Sequence, residues 1–242
     1  MIYLKEFKAE SDYLAYRDGS DYLKPNVSLS DDNEKVFYNF TPPIVYEAVD
    51  LGLPSGTKWA TMNVGAHKPS DYGLYFQWGD TSGYTADQVR KDKQFNWADY
   101  KWSIDGSSSN FSEYNTAGES LELADDAAHV HMGGDWHMPT PDQIRELINE
   151  TTNTWTTQDN INGRLFKSKN DSSKSIFIPA AGGARDGSLD DRGDVGVVWS
   201  SMLSTGDVLY GQILGFNSDR ANLGGGSRYG GFSVRGVIGE IK

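Results

Sequence analysis

The chain has 242 residues, a formal net charge of −12, 12% aromatic residues and no cysteine. Its length fits one large domain, or one domain with a small appendage, and its acidity argues against nucleic acid, whose binding rests on Lys and Arg contacts to phosphate. Without a long apolar run there is no signal for a helical membrane span. Without cysteine there is no disulfide, thiolate metal site, thiol catalysis or lipidated anchor.

Residues 1 to about 40 read as a first unit. Tyr3-Leu4-Lys5-Glu6-Phe7 predicts a strand, Ser11 to Tyr16 a short helix or turn, Asp31-Asp32-Asn33-Glu34 a turn, and Val36-Phe37-Tyr38 another strand. The opening residues carry no apolar signal-peptide core. The expectation is export by another route, such as within a virus particle, or after a signal has been trimmed. Thr41-Pro42-Pro43 then breaks the pattern, because proline cannot donate to a ladder. This places the boundary between a small N-terminal β unit, 1–40, and a main domain, 41–242. Forty residues bury little core alone, so the first unit is expected to pack on the main domain, on sister chains or on a larger assembly.

Beyond the boundary, short strands alternate with Gly, Asn and Asp. Thr57 to Met62 and Gly73 to Trp78 are strand-like, and a short helix is predicted over Glu122 to Val130. The clearest helix begins at Pro141. Thr140 is a good N-cap, Gln143 completes a capping box, and Ile144, Leu147 and Ile148 form an apolar stripe. Arg164 to Lys167 and Ser175 to Ile178 flank Asn170-Asp171 and predict a hairpin. Few helices among many short strands define an α+β class, and no solenoid or propeller period is present. Val197-Val198-Trp199 and Phe232-Ser233-Val234-Arg235 read as ordered ends of one last segment. Between them lie eight glycines and two tyrosines with little period-2 or period-3.6 patterning. A patternless surface held between two ordered strands suits a binding face.

Several blocks carry a family resemblance: Val49 to Ala60 (VDLGLPSGTKWA), Asn63 to Ala66, Asp71 to Gly79, Asp125 to His129, Gly133 to Thr140, Phe177 to Gly182, Val198 to Ser201 and Phe232 to Arg235. In this order they resemble the major paralogous domain family first named from Fibrobacter succinogenes, common in Bacteroidales and their phages. That family resembles the C-type lectin fold, shared with formylglycine-generating enzymes and with variable proteins of diversity-generating retroelements. The likeness covers roughly residues 46 to 238. Lys24 to Ser28 and Val36 to Asn39 resemble the N-terminal leader of phage-encoded members.

The resemblance implies a C-type-lectin-like domain whose region 197–235 is diversified by miscopied template adenines. Codons AAC and AAT then become NNC or NNT, which cannot encode Gln, Glu, Lys, Met or Trp. From Leu203 to Arg235 these five types occur once, at Gln212, where the composition of the whole chain would give about five or six. Phe216-Asn217-Ser218-Asp219 and Arg228 match the family's fixed framework. Leu209, Tyr210, Ile213, Gly215, Arg220, Asn222, Gly224, Gly225, Gly226, Ser227, Tyr229 and Gly230 fall at its variable positions. The ligand-binding set implied is Val197, Leu209, Tyr210, Ile213, Arg220, Asn222, Gly224, Gly225, Gly226, Ser227 and Tyr229. Tyr210, Arg220, Asn222, Ser227 and Tyr229 are its contact candidates, by the chemistry of antibody-like surfaces.

Other chemistry is weaker. His129, His131 and His137 lie close in sequence, but a helix end and a Gly-Gly turn separate the last two, so structural histidines are favoured over a zinc site. Asp125-Asp126, Asp190-Asp191 and Asp194 lack the spacing of a calcium loop and read as solvated acidic loops. Trp59, Trp78, Trp136 and Trp199 read as core rather than a sugar platform. The formylglycine generators depend on cysteine, and no catalytic motif is present. With no competing chemistry, the resemblance implies non-enzymatic recognition, with no cofactor and no metal, by a phage tail receptor-binding protein of the virion. Its partners would be a protein or glycan on a bacterial surface, and phage tail proteins or sister copies through residues 1–40, without nucleic acid or membrane insertion. The alternatives are a bacterial surface adhesin, a structural tail-decoration protein without a diversified site, and, ranked last, a hydrolase using surface carboxylates.

Overall fold

Three short strands, Tyr3–Phe7 (β1), Asn26–Leu29 (β2) and Val36–Phe40 (β3), form an antiparallel sheet of order β1-β3-β2. Its register pairs Tyr3 with Phe40 and Asn26 with Asn39. The computed structural model describes residues 3–7, 26–29, 36–40 and 44–240. The predicted elements at Ser11 to Tyr16, Asp31 to Glu34 and Thr41 to Pro43 lie outside the described residues. By its contacts the chain divides into two units, Met1–Val45 and Tyr46–Lys242.

The second unit is a mixed assembly of mostly antiparallel sheets with two α-helices among the described residues. In chain order it contains β4 (Ala48–Asp50), β5 (Lys58–Ala60), α1 (Ala127–Met132), α2 (Pro141–Glu150), β6 (Thr151–Gln158), β7 (Ile161–Ser168), β8 (Ser175–Pro179), β9 (Gly183–Arg185), β10 (Ser188–Asp190), β11 (Gly196–Leu203), β12 (Tyr210–Phe216), β13 (Ala221–Ser227) and β14 (Val237–Ile238). The sheets are β4-β5-β14, β6-β7-β8, β9-β10 and β11-β12-β13. Trp59 on β5 pairs with Val49 and with Val237, so the first and last strands of the unit share one sheet.

Helix α2 starts as its sequence dictates. Thr140 Oγ1 accepts from the Gln143 amide (3.3 Å), and Gln143 Oε1 accepts from the Thr140 amide (2.8 Å). Its stripe buries Ile144 and Leu147 completely, each contributing roughly 1.5–3 kcal/mol by leaving water. The hairpin after it forms as β7 and β8, with Leu165 opposite Phe177. The helix expected over Glu122 to Val130 is instead broken in two. A 3-10 turn, Leu123–Asp125, gives way to α1 at an extended Asp126, whose carboxylate caps His129 N (2.9 Å) and also accepts from Met138 N (2.7 Å). Asp126 is thus a buried cap and not part of a solvated loop. Burial pushes its carboxyl up, against the two backbone donors that pull it down.

Gly73 to Trp78 does not form a strand. It makes single bridges, Tyr75 to Tyr84 and Phe76 to Phe232, and buries Tyr75 to Trp78 in the core. Two main clusters result. One gathers Trp59, Phe166, Val198, Leu214 and Phe216 around α2. The other gathers Phe76, Trp78, Trp199, Phe232 and Val234. All four tryptophans read as core are buried. The glycine-rich run is not irregular: β12 and β13 are a hairpin paired from Tyr210/Ser227 to Phe216/Ala221.

Tyr75 is buried and donates from its hydroxyl to Ala181 O (2.8 Å). Desolvation pushes its pKa up to about 12. Its neutral form therefore contributes stability that is complete below pH 10, the unfolded value, and is lost as pH rises through about 12. The urea-unfolding free energy of the native chain minus that of Tyr75→Phe is expected to fall by about 2–3 kcal/mol between pH 9.5 and 12; a constant difference would refute the assignment.

Candidate binding face

The register of β11-β12-β13 sorts the C-terminal run into two faces. Val198, Leu214 and Phe216 turn toward α2, with Ala221 and Leu223 packed beside them. On the opposite face, Val197 aligns with Gly215 and Asn222, Trp199 with Ile213 and Gly224, and Gly211 with Gly226. Five of the eleven predicted binding residues, Val197, Ile213, Asn222, Gly224 and Gly226, therefore share the face turned from the helix.

A cleft of about 300 Å³ opens on this face. Predicted residues Val197, Tyr210, Ile213, Gly225, Gly226 and Ser227 line it together. Gly182, Gly183, Arg185, Asp190, Asp191 and Phe232 complete the wall, and sequence reasoning assigned none of these to the site. A signal was available in Asp186-Gly187. Both have positive φ (47° and 73°), which makes the two-residue turn favoured by right-twisted hairpins and joins β9 to β10. Tyr210 is 41% exposed, whereas Val197 is buried and Ile213 half-buried.

Five predicted residues do not line the cleft: Asn222 and Gly224, which share its face, and Arg220, Leu209 and Tyr229, which stand apart. Arg220 is exposed in the β12–β13 turn, where Asn217 Oδ1 accepts from the amides of Asp219 (3.0 Å) and Arg220 (3.1 Å). Leu209 is half-buried, and its carbonyl accepts from Arg228 N (3.1 Å). Tyr229 packs edge-on to Trp97 at 4.9 Å, and Phe111 lies 5.5 Å from the same Trp97 ring.

The glycines separate into two kinds. A Cβ at Gly215, Gly224 or Gly225 would meet nothing closer than 3.5 Å, and none has the left-handed backbone that only glycine favours. These positions accept side chains. At Gly211 a Cβ would lie 2.6 Å from Trp78 and 2.8 Å from Trp199; at Gly231 it would lie 2.5 Å from Phe95. Those positions are closed. Gly226 and Gly230 side with the closed set, because a Cβ there would come within 2.5 Å and 3.0 Å of the Phe232 ring. Two of the positions predicted to vary are therefore constrained by Phe232 beneath them.

The histidines do not converge. His129 bonds to Trp136 O (3.1 Å), His131 to Thr81 O (2.8 Å) and His137 to Met138 O (2.8 Å). Among the described residues no three His, Cys, Asp or Glu side chains come together as a metal site. No family model, curated protein or solved structure matches the chain.

Gly224→Ala and Gly225→Ala are expected to leave stability unchanged or to raise it by up to about 1 kcal/mol, by restricting the unfolded chain. Gly211→Ala should cost about 1–3 kcal/mol through overpacking against the two tryptophans. Urea midpoints of the three variants test this, and equal costs at 211 and 224 would refute the division.

Proposed function

We infer that the second unit is a C-type-lectin-like recognition domain of the retroelement-diversified type, borne by a phage tail and binding a ligand on a bacterial surface. The observation that carries this reading is the openness of four positions expected to vary, although Phe232 closes two others, Gly226 and Gly230. Gly215, Asn222, Gly224 and Gly225 are open to substituents, whereas Arg228 and Phe216, read as framework, are buried. A surface whose side chains are exchanged by mutation needs this separation, because substitution at a closed site destabilises and substitution at an open one does not. The cleft between β13 and the β9–β10 hairpin gives such a surface a concave centre.

Recognition in this reading is non-enzymatic, and repeated copies assembled through the first unit would raise a weak single-site affinity by about 10² to 10⁴. The expected genomic signature is a near-repeat of the DNA encoding residues 197–235 beside a reverse-transcriptase gene, differing only at template adenines. Sequencing the locus and finding no such repeat would sink diversification. At the protein level, Tyr210→Ala with Asn222→Ala should lower adsorption to host cells at least about tenfold while leaving the melting temperature within a few degrees. Retained adsorption would mean that the face lies elsewhere.

A further inference from the structure

β13 is the terminal strand of its sheet, and the other margin of that sheet is taken up where β11 bridges to Ser233. The ladder between β12 and β13 is bracketed by two bonds, Asn217 N to Arg220 O (3.0 Å) and Arg228 N to Leu209 O (3.1 Å). Antiparallel alternation then assigns 215/222, 213/224 and 211/226 as the hydrogen-bonded pairs. The backbone groups of Ala221, Leu223, Gly225 and Ser227 consequently point outward. Ser227 O is met by Gly230 N (2.8 Å), and Leu223 O by the Asn222 side chain (3.2 Å). Among the described residues, the amides of Leu223 and Gly225 and the carbonyls of Ala221 and Gly225 face no strand.

An open edge of seven residues is a liability that proteins ordinarily blunt with Lys, Pro or a bulge. β13, ANLGGGS, carries no Lys and no Pro, and it pairs in continuous register. Of the two long edge strands in the unit, β6 and β13, only β13 borders the cleft. Around that cleft two carboxylates, Asp190 and Asp191, face one guanidinium, Arg185. Among the described residues neither Arg185 nor Asp191 has an ion-pair partner, while Asp190 accepts from Ser188 Oγ (2.9 Å). The local excess is negative, within a chain of net charge −12, and Tyr210 adds an aromatic face beside it. These features favour a cationic side chain.

We propose that the ligand is a protein, bound as an extended segment that adds a strand to the edge of β13 and places a Lys or Arg side chain in the cleft beside Asp190 and Asp191. The idea rests on the reading of this face as a recognition surface and narrows its ligand from protein or glycan to protein. Main-chain bonds to Leu223 and Gly225 would supply affinity, and the pocketed side chain specificity, as in strand addition generally. Because side chains alternate along a strand, only every second residue of the segment faces the cleft.

Two arms test it in parallel: selection of a displayed library of random heptapeptides on the full chain, and binding of the same chain to a glycan array. The expected result is enrichment of β-branched or aromatic peptides with a basic residue at one fixed position. Those peptides should bind Gly225→Pro roughly tenfold or more weakly, because one edge donor is lost. The ladder bonds to β12 do not use that amide, so the variant should keep its melting temperature. Asp191→Asn, which leaves the backbone alone, should weaken them several-fold and flatten the salt dependence. Failure to enrich peptides, enrichment without a basic position, or equal binding to the native chain and both variants would overturn the proposal. Glycan binding without peptide enrichment would overturn it and leave the recognition reading standing. Silence in both arms would count against both.

Discussion

The candidate binding face stands on a guanidinium that has no carboxylate partner among the described residues. Arg228 is fully buried at the end of β13. Its Nε donates to Tyr100 Oη (2.8 Å), its Nη1 to the carbonyls of Tyr114 (2.9 Å) and Val208 (3.2 Å), and its Nη2 to that of Glu113 (3.3 Å). Phe111, Trp78 and Tyr100 surround it, at 4.4, 5.2 and 5.3 Å from guanidinium carbon to ring centre. A buried charge without partners costs several kcal/mol, so none of these loops can leave without exposing that cost. The segment from about 96 to 120, with little regular structure of its own, is thereby fixed against the hairpin. Arg235 does the same at the other side of Phe232, donating to Asn63 Oδ1, Ala60 O and Phe177 O at 2.8–2.9 Å. Burial pushes its pKa down to about 9, which still leaves it charged at neutral pH. Each arginine donates to one side-chain oxygen, Tyr100 Oη or Asn63 Oδ1, and otherwise to main-chain carbonyls, so the constraint depends mostly on where the backbone runs.

That choice of partner explains how a glycine-rich hairpin can be rigid. Glycine in a strand loses backbone entropy and gains no packing, and β13 has three in succession. The hairpin is compensated by packing on both of its faces. Leu214 and Phe216 pack into the α2 core, and Gly211 lies against Trp78 and Trp199. The outer positions contribute little to this packing, so their side chains are free to change while the backbone keeps its course.

What was legible in the sequence follows from the range of the interaction that carries each element. The start of helix α2 was readable to the residue because its cap, first-turn proline and stripe all lie within eight positions of one another. The β7–β8 hairpin was readable from the Asn170-Asp171 turn between its two apolar-centred flanks. The C-terminal run looked patternless because period-2 alternation is a record of side chains, and Gly215, Gly224, Gly225 and Gly226 leave none; pairing with a partner strand supplies the order instead. The cleft wall escaped for a related reason. Arg185, Asp190 and Asp191 reach the site through a bridge from Ala184 to Gly231, forty-seven residues along the chain, which no local pattern announces. Asp126 misled in the opposite direction, since an acidic pair reads as solvated until its two backbone donors are known.

On the proposed reading, a changeable face and an open strand edge would solve one problem together. If every side chain at the centre of a binding surface can be replaced, most replacements abolish contact altogether, and selection has nothing to refine. Edge amides and carbonyls do not change with the side chains. A segment that docks on β13 would keep its backbone hydrogen bonds, each worth about 0.5–1.5 kcal/mol net, whichever residues occupy 222, 224 and 225. Side-chain exchange would then shift preference among segments already held weakly, rather than create affinity from none. In that arrangement the glycines are not gaps in the binding surface. They are positions where the edge is bare, and where a larger residue can either complete a pocket or close it.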